Sequence, residues 1–185
     1  MDNDQILINF GIIIVTFIFA AFFVAAEFAL VQVRVTALQE MQNKRKKPSR
    51  KIEQAINMVT NLTEYLSTTQ VGTSVCGIIL GWVGEETIEY LLADLLKMPQ
   101  LPLSGSAVHA ISAVVGVLVL TYFEVVLTEI VPKNIAIDLP MKMMMMVVTP
   151  LHYFHVVFYP FVCLLNTSAN GIVRLLGLKP ADETD

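Results

Sequence analysis

Four long apolar segments divide this chain, at about residues 6–33, 66–83, 108–131 and 143–165, and polar stretches separate them. The first is a nearly unbroken run of Ile, Val, Phe, Leu and Ala. It meets the ~20 residues that an α-helix needs to cross a bilayer. It is too long for the core of a secretory signal, and Asp2 and Asp4 precede it where a signal would carry basic residues. A retained span is therefore expected. Residues 85–97 behave differently. Ile88, Leu91, Leu92 and Leu95 recur at helical spacing among Glu85, Glu86, Glu89 and Asp94, which predicts a short surface helix ended by the prolines at 99 and 102. The fourth segment is long enough to span, but Pro140, Pro150 and Pro160 divide it and His152 and His155 interrupt it. It reads as a helical hairpin in or on the cytoplasmic face. The expected fold is an all-α integral membrane domain with three transmembrane helices plus a cytoplasmic juxtamembrane helix or helical hairpin.

Composition agrees with a membrane class. Of 185 residues, 55% are hydrophobic and 15% charged, against about 45–50% and ~25% in soluble chains; the mean hydropathy is +0.66. The charge pattern orients the spans. Arg34, Lys44, Arg45, Lys46, Lys47, Arg50 and Lys51 form the main basic cluster, between the first and second segments. Basic loops stay cytoplasmic, so the N-terminus is expected outside and the C-terminus inside, in the cell membrane. A net charge of −4 gives no reason to expect a nucleic-acid partner. Cys76 and Cys163 both lie in apolar stretches, where neither a disulfide framework nor a zinc cluster is suggested. The end of the chain, 176–185, reads as a helix stop at Gly177 and then a polar linker.

The candidate chemistry lies in the third segment. Glu124 and Glu129 are five residues apart in an otherwise apolar helix, with Pro132 and Lys133 just beyond. A carboxylate at membrane depth is costly unless it is paired, hydrated or bound to a cation. Proline lacks an N–H and its ring clashes with the carbonyl four residues back, here that of Thr128. A helix break at this point would present the Glu129 carboxylate and the Thr128 carbonyl together, two hard oxygen ligands of the kind Mg²⁺ or Ca²⁺ takes. An i,i+4 ion pair between Glu129 and Lys133 is the bland alternative, worth only ~0.2–0.5 kcal/mol on an exposed helix. Glu27 in the first segment reads equally as an intramembrane site or as an interfacial partner of Arg34 or a loop lysine. In the second segment Gln70, Ser74, Gly77 and Gly81 share a stripe, with Thr69, Thr73 and Cys76 beside it. Such a stripe serves close helix packing or lines an ion path with hydroxyls. His152 and His155 could share a helix face, but no further ligands accompany them, so core or interfacial histidines are the plainer reading. No arrangement of catalytic residues stands out, and no enzyme activity is expected.

Several stretches together resemble a known family. They are Phe23-Val24-Ala25-Ala26-Glu27-Phe28-Ala29-Leu30, Gln70-Val71-Gly72, Gly81-Trp82-Val83-Gly84-Glu85 and Thr128-Glu129-Ile130-Val131-Pro132-Lys133. Asn166-Thr167-Ser168-Ala169-Asn170 and Leu175-Leu176-Gly177-Leu178-Lys179-Pro180 follow in the same order. In order and spacing they resemble the transmembrane domain of the CNNM/CorC (cyclin-M-like) magnesium transporters, and in particular the hemolysin-like bacterial branch. The resemblance implies a homodimer in the lipid bilayer that moves a divalent cation, magnesium or cobalt. It implies Mg²⁺ held within the membrane, and ATP acting only through cytoplasmic CBS domains that follow. Residues 1–175 would be the membrane domain and 176–185 the start of the CBS linker. Of the ligand positions the family implies, the glutamate is present as Glu129. The serine positions fall on Val24 and Ala26, and the asparagine positions on Thr73 and Gly77. A cation would then be held by Glu129, the Thr128 carbonyl, Thr73, Ser74 and water, with Glu27, Glu124, Gln70, Pro132 and Lys133 around it. The rival expectation is a non-transporting scaffold or regulator that keeps the fold and has a degenerate site.

Overall fold

The structure is a computed structural model and describes residues 2–97, 102 and 104–180. Every regular element among them is helical: α1 (Asn3–Gln32), α2 (Val35–Asn43), α3 (Arg50–Thr60), α4 (Leu62–Ile79), α5 (Glu85–Lys97), α6 (Gly105–Glu124), α7 (Val131–Asp138) and α8 (Pro140–Leu175). Two π-helical segments, Leu80–Gly84 and Val125–Ile130, join α4 to α5 and α6 to α7 without a break. Among the described residues, four helices are therefore long and apolar enough to cross a membrane: Asn3–Gln32, Leu62–Lys97, Gly105–Asp138 and Pro140–Leu175. Their outward positions are apolar. Ile14, Ile18, Val114, Leu118, Val156 and Val157 are all exposed, as expected where hydrocarbon is the solvent.

Three sequence expectations change. The fourth segment is one 36-residue helix and not a hairpin, so four candidate spans replace the expected three. Pro150 and Pro160 sit inside it; membrane helices tolerate such prolines because neighbouring groups and local adjustments re-satisfy the freed carbonyls. The surface helix at 88–95 is not separate, because α5 continues from α4 through the π-helical turn. Apart from Pro102, the stop expected over 98–102 lies outside the described residues, as does 181–185 of the expected linker. Finally, the basic stretch between the first two spans contains two helices, α2 and α3, that periodicity over so few residues did not reveal. The predicted stop at Gly177 is present. Its φ of +77° lets its N–H reach the Arg174 carbonyl and the Leu178 N–H reach that of Val173, the 5→2 and 6→1 pairs of a Schellman cap.

The chain forms two compact units. The first comprises Met1–Ala21 and Thr73–Pro132. Its centre is the contact between α5 and α6, made close by small residues. A methyl on Gly116 would touch Ile88 and the Glu89 backbone at 3.5 Å, and one on Gly84 would come within 3.0 Å of Leu120. Asn9 donates to the Thr87 hydroxyl at 3.0 Å, which itself donates to the Val83 carbonyl at 2.7 Å. Ser104 caps α6 by accepting from the Ala107 N–H. The Ser112 hydroxyl is buried on the inner face of α6 and has no hydrogen-bond partner among the described residues.

The second unit comprises Phe22–Gly72 and Lys133–Asp185. It holds a continuous core in which Ile52, Ala55 and Met58 of α3 and Leu38 of α2 meet Ala26, Ala29 and Leu30 of α1 and Met144, Val148 and Leu151 of α8. Phe22, Phe23 and Phe154 form an edge-on and tilted cluster, with Phe158 stacked on Phe154. Gly72 admits this cluster: a methyl there would lie 2.5 Å from the Phe23 ring. Polar groups are matched here. Ser67 donates to Asn166 at 2.7 Å, and His155 lies between Thr68 and Glu64.

Candidate functional site

The region around Glu129 is built by a change of helical register. Glu124 ends α6, and the next six residues, Val125–Ile130, are π-helical. At the end of that segment the Val131 N–H donates to the Val126 carbonyl, five residues back in place of four. The chain then resumes α-helix with Pro132 at its second position. The expected helix break is therefore absent. In an α-helix the Pro132 ring would press on the Thr128 carbonyl, and the wider π turn relieves that conflict without ending the helix. Such single π turns occur often at functional sites.

Within this segment Thr128 is buried, and its hydroxyl donates to the Glu124 carbonyl at 2.7 Å. That bond uses the hydroxyl proton and leaves the oxygen's lone pairs as acceptors. Glu124 is half-buried and Glu129 exposed on the protomer surface. Two carboxylates so placed on an apolar helix repel one another and favour a cation between or beside them. Pro132 is buried.

The other sequence candidates are distributed between the two units. Thr73 and Ser74 belong with Glu124, Thr128, Glu129 and Pro132 in the first; Thr73 is half-buried and Ser74 exposed. Glu27, Gln70 and Lys133 belong to the second. Glu27 is half-buried, and among the described residues it forms no ion pair with Arg34 or a loop lysine. The interfacial pairing suggested for it is thus not formed. Lys133 places its ammonium 5.2 Å from the centre of the Phe28 ring, a cation–π geometry. Gln70 is exposed.

Among the described residues no three His, Cys, Asp or Glu side chains converge on a metal-sized centre. A cation near Glu129 would accordingly take most of its ligands from carbonyls, hydroxyls and water. Mg²⁺ suits that pattern, since it keeps several waters and binds through one or two carboxylates. The Gly77 and Gly81 stripe departs from expectation. A methyl on either glycine would meet nothing within 4 Å, so within one protomer these glycines do not serve helix packing; Gly72, Gly84 and Gly116 do.

Sequence reasoning missed two polar assemblies. One is a cavity of about 320 Å³ lined by Glu86, Glu89, Asp94, Lys97 and His109, in which His109 Nδ1 lies 3.5 Å from Glu89. The other is the His155 contact with Glu64 and Thr68. His155 was visible in the sequence, but its partners Thr68 and Glu64 lie 87 and 91 positions away, and no local spacing links them.

Four helices long and apolar enough to cross a bilayer define a multi-pass membrane protein. The chain matches the Cyclin M transmembrane N-terminal domain (CNNM) over residues 11–185 and belongs to that family. It is 37% identical over 188 residues to the UPF0053 protein YhdT of Bacillus subtilis, covering 100% of this chain and 38% of that protein. It is 35% identical over 176 residues to the UPF0053 protein YrkA of the same organism, with 95% and 39% covered. The uncharacterized protein Rv1841c of Mycobacterium tuberculosis is 34% identical over 165 residues, with 89% and 45% covered. The chain thus spans about two-fifths of the length of the Bacillus relatives it matches.

Proposed function

We propose that this chain is the membrane domain of a divalent-cation transporter, with Mg²⁺ as the first candidate substrate and Co²⁺ as the second. The observation that carries the reading is the π-helical segment Val125–Ile130. It keeps Glu124, Thr128 and Glu129 together inside a long apolar helix of a chain from the CNNM family. In this reading Glu129 supplies the carboxylate, the Thr128 carbonyl, Thr73 and Ser74 supply neutral oxygens, and water completes the shell. The domain acts as a homodimer, with the open Ser74, Gly77 and Gly81 stripe as a surface that a second copy can approach closely. The N-terminus lies outside the cell membrane and the C-terminus in the cytoplasm, on the strength of the basic residues between the first two spans. ATP acts only through CBS domains attached beyond this chain. The chemistry is transport and not catalysis.

The test is thermal unfolding of the purified chain with and without Mg²⁺. A cation that binds only the folded state raises the midpoint, and Glu129→Gln is expected to remove that rise. No rise at saturating Mg²⁺ would overturn the site. A second reading is a non-transporting scaffold or regulator of the same fold. It is favoured by the lack, among the described residues, of a converging His, Cys, Asp or Glu cluster and by Val24, Ala26, Thr73 and Gly77 at implied ligand positions. Flux of Mg²⁺, Co²⁺ and Mn²⁺ into liposomes separates the two readings, since a scaffold passes none.

A further inference from the structure

His155, in the second unit, is held in a way that the cation site does not use. Its side chain is 11% exposed and that of Glu64 is 34% exposed, with Nε2 lying 3.3 Å from the Glu64 carboxylate. On the other side of the ring, Nδ1 lies 3.1 Å from the hydroxyl of Thr68, which is fully buried. The same hydroxyl lies 3.1 Å from the backbone carbonyl of Glu64, to which it can donate. The Tyr65 ring covers one side of the imidazole, 4.2 Å between centres, and Tyr159 meets it edge-on at 5.6 Å.

These contacts fix the proton positions. An ionised carboxylate only accepts, so Nε2 carries a hydrogen and donates to Glu64. With a neutral ring, Nδ1 is then an acceptor, and the Thr68 hydroxyl donates to it. Adding a proton makes Nδ1 a donor. The Thr68 hydroxyl can then turn its own hydrogen to the Glu64 carbonyl and accept from Nδ1. Every polar group remains hydrogen-bonded before and after protonation, and only one hydroxyl rotates. A buried histidine whose acceptor nitrogen meets only a donor loses that partner on gaining a proton. Here neither state carries that penalty, and the charged state gains an ion pair with Glu64.

We propose that Glu64, His155 and Thr68 form a proton-binding site that makes the contact between α4 and α8 responsive to pH. The incoming ligand is a single proton. It comes to rest on Nδ1, with the imidazolium ring bonded on both sides, to the Thr68 hydroxyl and to the Glu64 carboxylate. The other titratable or charged groups facing the assembly are Tyr65 on α4 and His152 and Tyr159 on α8. Arg50 and Glu53 of α3 line a cavity of about 320 Å³ with Tyr65 and His152. This site does not rest on the proposed cation site, whose residues Glu129, Thr128, Thr73 and Ser74 lie in the other unit.

The experiment is ¹⁵N NMR of the histidine rings of the whole chain in lipid nanodiscs across pH 4.5–9, with His155→Gln to identify the signal. The expected result is a neutral ring protonated at Nε2 that gains its second proton at Nδ1 as the pH falls. Glu64→Gln removes the counter-ion and is expected to shift the midpoint by about one pH unit or more. Thr68→Val is expected to shift it by less, and Thr68→Ser to restore it. A His155 ring that keeps one protonation state throughout, or a neutral ring protonated at Nδ1, overturns the proposal. So does a midpoint unchanged in folded Glu64→Gln. Should the variants not fold, the tautomer and titration of the unsubstituted chain decide the question alone.

Discussion

The two units differ in how completely their polar groups are paired. In the second, the long-range polar contacts are closed pairs: Ser67 with Asn166, Glu64 and Thr68 with His155, and Lys133 over Phe28. They surround a core shared by five helices. In the first, Asn9 pairs with Thr87 and His109 with Glu89, but among the described residues the Ser112 hydroxyl is buried without a partner, Glu129 stands exposed on an apolar helix, and Gly77 and Gly81 face open space. Both π-helical segments also lie there. A closed network with a dense core resists rearrangement, because any shift leaves donors or acceptors unpaired. Open carboxylates and π turns lack that restraint. The difference teaches that the second unit is closed around its core, while the first leaves polar groups and helical turns open.

That contrast can be broken most severely in the second unit. Leu151 is fully buried in the shared core, so Leu151→Ala should destabilise by about 2–5 kcal/mol, read by denaturant unfolding in detergent. A loss below ~1 kcal/mol would mean that the core is not the rigid part. Next in size is a pair of glycines. Gly72→Ala drives a methyl into the Phe23 ring, which Phe22 and Phe154 hold in place, and should cost about 1–3 kcal/mol. Gly77→Ala meets nothing within the protomer and should be neutral or gain up to ~1 kcal/mol from helix propensity. A clear loss of dimer on Gly77→Ala, with unchanged protomer folding, would instead assign the open stripe to the interface. The smallest effect concerns Ser112→Ala. Removing an unsatisfied hydroxyl from the inner face of α6 should stabilise by roughly 1 kcal/mol; destabilisation would reveal a partner for it, such as a bound water or ion.

Much of this protein is set by the sequence itself. Long apolar runs at 6–33 and 108–131 dictate membrane helices, since only a helix satisfies its own backbone in hydrocarbon. The Gly177 stop follows from the one residue type that adopts positive φ freely. The candidate acids Glu124 and Glu129 are legible because charge is so expensive in such runs. Tertiary structure decided the rest. Whether Pro132 breaks a helix or sits beyond a π turn depends on how the turn before it is packed. Likewise, whether Pro150 and Pro160 split the fourth segment depends on neighbouring groups that can accept a continuous helix. Which glycines make close approaches was also beyond the sequence, as the G-x-x-x-G spacing points to Gly77 and Gly81 while the packing uses Gly72, Gly84 and Gly116. Above all, His155 finds Glu64 and Thr68 across about half the length of the chain. Local periodicity reports which face of a helix is apolar. It carries no information on which distant side chain will complete a hydrogen bond there, and that is fixed only when the helices pack.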